Sequence, residues 1–332
     1  MGEFDLIERY FKRPARLAAL GVGDDCALLQ PRPGTQLAIS SDMLVEGRHF
    51  LSTVDPFKLG HKALAVNLSD LAACGAKPLA FTLALALPRA DDAWLAPFSR
   101  GLLALADAHH CELIGGDTTQ GPLNICITVF GEVPVVNGHS QALLRSGAKV
   151  GDDIYVSGNV GDARLALEVF RGTLQVPGSV FAQARARMEQ PTPRVALGQA
   201  LRGIANAAID VSDGLLGDLG HILKQSGVGA RVETINAMNL IACRANPDWS
   251  TGQTGDKLSD TQWLDLVLAG GDDYELVFTA PTSARSAVHA AALASLSAVT
   301  RLGQIEAAPG LRLIDASGQL MDQRYPSFDH FA

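Results

Sequence analysis

Short apolar runs that end in small and acidic residues alternate along this chain with longer stretches whose apolar positions recur at helical spacing. Glu3–Phe11 sets Phe4, Ile7, Tyr10 and Phe11 on one side and reads as a short amphipathic helix. Ala27–Leu29 and Gln36–Ser40 read as strands around a Pro33-Gly34 turn. Leu59–Gly75 reads as a helix that begins after Asp55-Pro56 and stops at Gly75. Leu79–Leu87 alternates as a strand, and Asp91–Cys111 is a long helix with an apolar stripe. Glu112–Ile114 and Asn124–Val133 read as strands flanking a turn at Gly115-Gly116-Asp117.

A second unit opens near Asn137-Gly138, so the expected domains are 1–137 and 138–332. Its first segment, Arg145-Ser146-Gly147-Ala148-Lys149, is small and basic. Strand Asp153–Ser157, turn Gly158–Gly161 and helix Asp162–Phe170 follow. Further helices are expected within Pro177–Pro193 and over Pro193–Ala205. Strand Ala207–Val211 feeds helix Leu215–Gln225. Asn246–Ser259 is polar and glycine-containing and reads as a surface loop. Strand Glu275–Thr279, helix Ala284–Leu296 and short strands close the chain. The pattern is α/β in both halves.

At 332 residues, 47% hydrophobic and 19% charged, the chain has ample core for two domains. Its net charge of −8, with no Lys/Arg run, argues against a nucleic-acid partner. The five cysteines, Cys26, Cys74, Cys111, Cys126 and Cys243, are odd in number and widely spaced, which speaks against disulfide or zinc frameworks. The longest apolar run, near Phe81–Leu87, is too short to span a bilayer. Met1-Gly2-Glu3-Phe4-Asp5-Leu6 does not read as a secretory leader or a myristoylation signal. A reducing, cytoplasmic setting is the expectation.

Six segments set an acidic residue beside Gly, Ser or Thr: Gly21–Asp25, Ser40-Ser41-Asp42, Asn67–Asp70, Gly115–Thr118, Asp210–Gly214 and Gly270–Asp273. Any one of them is ordinary turn or helix-cap chemistry. Six together are not, because Asp24-Asp25 and Asp272-Asp273 come as pairs and Asp210 and Asp213 flank a strand-to-helix turn. Carboxylates gathered beside close-approaching backbone suit a hard cation such as Mg²⁺, which would offset their repulsion. An acidic protein binding an acidic ligand needs such ions or local Arg, and Arg145 sits where a guanidinium could face phosphate. No Walker-type loop, dinucleotide fingerprint or protein-kinase signature occurs. Gly158–Gly161 is either an anion-binding turn or a tight connection. His49 alone is more ordinarily structural, and His109 and His110 fit a helix C-terminus. Asn67–Leu71 echoes Asp210–Gly214, and Gly115–Asp117 echoes Gly270–Asp272. The echoes mark either two related units or chance.

The order of these motifs resembles the thiamine-monophosphate kinase family, within the superfamily of aminoimidazole ribonucleotide synthetase and selenophosphate synthetase. The resemblance runs from Gly2-Glu3-Phe4 to Asp329-His330-Phe331. It is carried by Gly21–Ala27, Ser41–Phe50, Ala65–Ala72, Arg145–Ala148 and Gly271–Leu276.

That resemblance implies a two-domain aminoimidazole ribonucleotide synthetase-like fold, α/β (α+β), whose N-terminal sheet forms a barrel across a homodimer and whose C-terminal domain is α/β. It implies ATP-dependent phosphorylation of thiamine monophosphate to thiamine diphosphate, the last step in making that cofactor. By the same resemblance, Asp25, Ser40, Ser41, Asp42, Asp70, Asp117, Asp210 and Asp213 hold several Mg²⁺ ions. Gly116, Asp117, Arg145, Ser212 and His109 contact ATP, and His49, Asp272 and Tyr325 face the acceptor. No protein nucleophile or base is implied, and no nucleic acid or membrane partner. Four positions depart from the family pattern: Asp272 for Glu, Ser41 for Thr, His109 for a Tyr near the nucleotide, and Tyr325 for Trp. The rival readings are another ATP-using enzyme of the superfamily and a non-catalytic Mg-nucleotide sensor. A selenophosphate synthetase would carry a reactive Cys or selenocysteine near the N-terminus, and no Cys precedes Cys26.

Overall fold

The computed structural model describes residues 2–251, 258–322 and 325. Tertiary contacts divide it into two compact units, Met1–Leu71 with Ala76–Ala142 and Ala72–Gly75 with Leu143–Ala332. Both are mixed α/β, each with one sheet.

The first unit comprises α1 (Glu3–Tyr10), β1 (Thr35–Val45), α2 (Pro56–Ala73), β2 (Lys77–Leu87), α3 (Asp92–Ala108), β3 (Glu112–Gln120), β4 (Asn124–Val136) and β5 (His139–Ser140). Its sheet runs β1-β4-β2-β3, with β5 on β4. Only β2 and β3 are parallel, because α3 carries the chain back between them. Asp91 caps α3 by accepting the Ala93 N–H. Phe81 and Leu85 of β2, Ile125 and Ile127 of β4, Leu64 of α2 and Leu95 of α3 are fully buried. α2 and α3 cross where both carry glycine. A Cβ at Gly60 would lie 2.1 Å from the Phe98 carbonyl oxygen, and one at Gly101 would lie 1.8 Å from that of Phe57.

The sheet departs from the sequence expectation at two places. Ala27–Leu29 forms no regular strand, since Leu28 makes only an isolated bridge to Leu20, while β1 extends beyond Ser40 to Val45. Gly115-Gly116-Asp117 is not a turn but the middle of β3. A register shift opposite Phe81 and Thr82 absorbs the irregularity there. At Gly116, φ is +147° and a Cβ would stand 1.9 Å from the Leu83 carbonyl oxygen, so only glycine lets β3 continue along β2.

The second unit contains β6 (Asp153–Ser157), α4 (Asp162–Phe170), α5 (Gly178–Glu189), α6 (Val195–Ala200), β7 (Ala207–Asp210), α7 (Leu215–Ser226) and β8 (Gly229–Glu233). It continues through α8 (Thr234–Ala237), α9 (Asp248–Thr251), α10 (Asp260–Leu268), β9 (Leu276–Ala280), α11 (Arg285–Ala294), β10 (Val299–Glu306), β11 (Gly310–Ile314) and β12 (Leu320–Met321). The strand order is β12-β11-β8-β10-β6-β9-β7, with β11 and β8 the parallel pair. β7 is therefore an edge strand, and the chain leaving it into α7 stands at the margin of the sheet.

The helix expected over Pro193–Ala205 shortens to α6, and Gly203 turns the chain with φ +74°. Part of the expected loop Asn246–Ser259 is helical as α9, and 252–257 lie outside the described residues. β8 and α10 go beyond the elements read from the sequence. Gly229-Ala230-Arg231-Val232-Glu233 lacks a run of β-formers. α10 carries a recognisable capping box, with Ser259 Oγ accepting the Gln262 N–H and Gln262 Oε1 accepting the Ser259 N–H. Among the described residues no helix is long and apolar enough to cross a membrane.

The α2–α3 crossing makes a stability prediction. Gly101→Ala should destabilise the first unit by about 1–3 kcal/mol, the usual range for overpacking. Gly34→Ala, at a position where φ is +77° but a Cβ meets nothing within 4 Å, should cost less. Urea denaturation of the two variants checks the order.

Candidate functional site

Two of the first unit's acidic motifs meet at the edge strand β1. Successive strand residues point to opposite faces, so Ser40 and Asp42 share one face and Ser41 takes the other. Ser40 Oγ donates to Asp70 Oδ2 on α2. The Asp42 N–H donates to Asn67 Oδ1 at 3.1 Å, and Asn67 Nδ2 donates to the Ala63 carbonyl at 3.0 Å. Buried Asn67 thus ties α2 to the edge strand and sets Asp70 beside Ser40. Ser41 lies with Thr128 on the other face, their hydroxyls 2.9 Å apart.

Asp117 is exposed on β3, next to Gly116. Asp24 and Asp25 are exposed in the segment before β1, where the Asp25 N–H donates to Asp24 Oδ1 at 2.8 Å. His49 lies in the turn after β1. Its Nδ1 accepts the Val45 N–H at 2.9 Å, which fixes the remaining ring proton on Nε2. His109 follows α3 as its C-cap. Burial, with the charges of His61 and His110, holds its imidazole below the ordinary range.

In the second unit two separate motifs are built into one structure. The Val211 N–H donates to the Glu275 carbonyl at 2.7 Å, the Asp272 N–H to that of Ser212 at 2.8 Å, and the Tyr274 N–H to that of Val211 at 2.9 Å. A Cβ at Gly271 would lie 2.3 Å from the Ser212 carbonyl oxygen. Asp272 and Tyr274 both take positive φ, +72° and +53°. The Asp210–Gly214 motif at the end of β7 and the Gly270–Asp273 loop before β9 are therefore joined by backbone. Asp210 is buried at the strand end, while Ser212, Asp213 and Asp272 are half-buried.

Three side chains to which the sequence assigns no role hold this assembly. Asp218 Oδ2 accepts the N–H groups of Ser212, Asp213 and Gly214 at 3.0, 3.1 and 3.2 Å. Burial, with the nearby Asp213 charge, pushes its carboxyl up to about 7, and the three donors act in the opposite direction. Glu275, fully buried, accepts from Arg194 through both oxygens at 2.6 Å, from Arg187 at 2.9 Å and from Ser157 Oγ at 2.6 Å. Asp273 accepts the Gly161 N–H at 2.9 Å, and burial holds its carboxyl well above the ordinary range. Signals for them existed: Asp273 pairs with Asp272, Glu275 lies in the Gly271–Leu276 motif, and Asp218 lies five residues beyond Asp213.

Arg145 is exposed, in a segment pinned by Ser226 Oγ, which accepts the Gly147 and Ala148 N–H groups at 3.1 Å each. Tyr325 is buried in the core of this unit, its hydroxyl without a hydrogen-bond partner among the described residues. Burial, with the Asp265 charge, raises its phenol.

Among the described residues no group of three or more His, Cys, Asp or Glu side chains is close enough to hold a metal ion by itself. The donors that the acidic motifs offer are carboxylate and hydroxyl oxygens, without a thiolate or imidazole among them. That donor set fits Mg²⁺, which is held by one or two protein carboxylates, with waters and substrate phosphate oxygens completing its shell.

Comparison with known proteins agrees in kind. Residues 23–133 match the family described as AIR synthase related protein, N-terminal domain. The thiamine-monophosphate kinase of Salmonella typhimurium is 46% identical over 336 residues, covering 100% of this chain and 98% of that protein. The crystal structure of thiamine-monophosphate kinase from Stenotrophomonas maltophilia K279a is similar with a TM-score of 0.80 at 44% identity, covering 92% of each chain. The structure of AaThiL complexed with AMPPCP and TMP has a TM-score of 0.74 at 26% identity, covering 91% of this chain and 89% of that one. Identity of this extent over the whole length leaves one conclusion: the chain belongs to the thiamine-monophosphate kinase family.

Proposed function

We propose that this chain transfers the terminal phosphoryl group of ATP to the phosphate of thiamine monophosphate, giving thiamine diphosphate and ADP. The observation that carries this reading is 46% identity to the Salmonella enzyme over the full length, joined to an oxygen-only donor set at a sheet edge in each unit. A relative of this fold, AaThiL, has been captured in complex with AMPPCP and TMP together.

The chemistry needs little from the protein in acid–base terms. A phosphomonoester has a second pKa of about 6, so the acceptor oxygen is already ionised at neutral pH. That oxygen forms the new bond to the γ-phosphorus, and the bond to the β,γ-bridging oxygen breaks. Its electron pair leaves with ADP. What the site must supply is in-line positioning and relief of repulsion between two anions. We assign the holding of Mg²⁺ to Asp25, Ser40, Ser41, Asp42, Asp70, Asp117, Asp210 and Asp213. When bound, Mg²⁺ supplies charge neutralisation on the phosphate oxygens. Gly116, Arg145, Ser212 and His109 are assigned to ATP, with Gly116 lending close backbone approach and Arg145 a planar fork. His49, Asp272 and Tyr325 are assigned to the acceptor. No aspartate acts as a nucleophile.

We also infer a twofold homodimer working in the cytoplasm, with no nucleic-acid or membrane partner, whose first-unit sheets pair into a barrel. The support is on β1. This edge strand exposes alternate apolar side chains, Leu37 at 44%, Ile39 at 59% and Met43 at 53%. Such an edge is an aggregation hazard unless covered.

Three outcomes are expected. Incubation with ATP, Mg²⁺ and thiamine monophosphate should yield thiamine diphosphate by chromatography, while free thiamine should be a poor acceptor. Phosphorylation of thiamine at an equal rate would overturn the acceptor assignment. Asp42→Asn or Asp210→Asn should lower kcat by about 100-fold or more, the scale seen when one stabilising group of a transition state is removed. Circular dichroism should be unchanged, and EDTA in excess over Mg²⁺ should abolish wild-type turnover. Finally, Ile39→Asp should convert a dimer to a monomer in light scattering. An active wild-type monomer at micromolar concentration would refute the assembly.

A further inference from the structure

We propose that Asp218 is a positioning residue for the cation-holding loop, acting by filling the anion nest that the loop's own backbone creates. Ser212, Asp213 and Gly214 turn consecutive N–H groups inward, and all three meet Asp218 Oδ2. Convergent backbone N–H groups at the start of a helix are an anion-binding concavity, the kind that elsewhere cradles phosphate. Here the concavity is already taken by an internal carboxylate in charge-assisted hydrogen bonds.

Two consequences follow from that occupancy. Phosphate cannot use these donors, so the loop meets its ligand through side chains. With the backbone pinned from inside, Asp213 is held just beyond the end of β7 and Asp210, and the Ser212 carbonyl is held to accept the Asp272 N–H at 2.8 Å. Asp218 is 3% exposed and thus cannot serve as an outer ligand itself. Plain capping of α7 asks one side-chain oxygen to satisfy one orphan N–H, whereas a single Asp218 oxygen takes three. The inference rests on the reading that Asp210 and Asp213 hold the Mg²⁺ of the nucleotide.

The test measures cation binding directly, on the full chain with AMPPCP, using Mn²⁺ as the probe in electron paramagnetic resonance titrations. Asp218→Ala should weaken Mn²⁺ by about tenfold or more, the range for partners that orient metal ligands. Asp218→Asn, which keeps one acceptor oxygen, should lose less and covers the case where the alanine variant folds poorly. Added formate should recover part of the affinity in Asp218→Ala and do nothing to wild type. Asp213→Asn is the control. If it weakens Mn²⁺ while both Asp218 variants bind normally and merely melt earlier, Asp218 is only a helix cap and the proposal falls. Failure of formate to rescue also counts against it. If Asp213→Asn leaves Mn²⁺ binding unchanged, the underlying metal assignment fails and takes the proposal with it.

Discussion

At the end of β7 two stretches of backbone come so close that no side chain fits between them, and the second unit's site depends on that approach. Gly271 sits against the Ser212 carbonyl, and Gly214 against that of Ala269, where a Cβ would stand at 2.9 Å. Beside this approach Asp272 and Tyr274 take positive φ, a conformation that Asp adopts more readily than a bulky Tyr. Strain of this kind runs to about 1–3 kcal/mol per residue and persists only when the surroundings over-determine it. Here they do. Three backbone hydrogen bonds join the segments, and Glu275, immediately after the strained Tyr274, is locked by Arg187, Arg194 and Ser157. A buried ion network of this sort is weak evidence for net stability, but removing one partner leaves an uncompensated charge. Its visible effect is to fix geometry at the base of the loop that carries Asp272.

The first unit meets the same demand with different means. Its acidic groups lie along strands and a helix, and neutral polar groups hold the backbone near them. Asn67 takes up an edge-strand N–H, and Ser40 hydrogen-bonds Asp70. These contacts place carboxylates at the sheet edge without gathering a cage of three. A nucleotide-borne Mg²⁺ needs no such cage, since the phosphates supply part of its coordination. The separation of like charges across the sheet also limits the repulsion that a preformed cluster would suffer.

Much of this was legible in the residue order. The strands Leu79–Leu87 and Asp153–Ser157 and the helices around Asp92 and Asp162 stand where periodicity put them, because apolar patterning follows burial directly. What misled was glycine. Gly115-Gly116-Asp117 has turn composition, yet it continues β3, since glycine serves close strand approach as readily as a bend. Asp218 and Glu275 lie in or beside the motifs, but their role is read only from what they touch. A carboxylate one turn into a helix looks like any surface acid until its three inward donors are seen. Tyr325, which the family pattern points at the acceptor, also packs in the second unit's core, a burial that its place in the sequence does not announce.

The internal echoes also change meaning in three dimensions. Asn67-Leu68-Ser69-Asp70 lies inside α2, whereas Asp210-Val211-Ser212-Asp213 bridges β7 and α7. Gly115-Gly116-Asp117 lies within a strand, whereas Gly270-Gly271-Asp272 is an irregular loop. Equivalent positions of a duplicated unit would share their backbone setting, and these do not. The common factor is chemical. A carboxylate directed at a hydrated cation needs a neighbour that lets backbone approach and a hydroxyl or N–H to orient it. Short combinations of Gly, Ser and Asp are the few residue sets that provide both. The echoing motifs thus share a residue vocabulary but not a backbone setting.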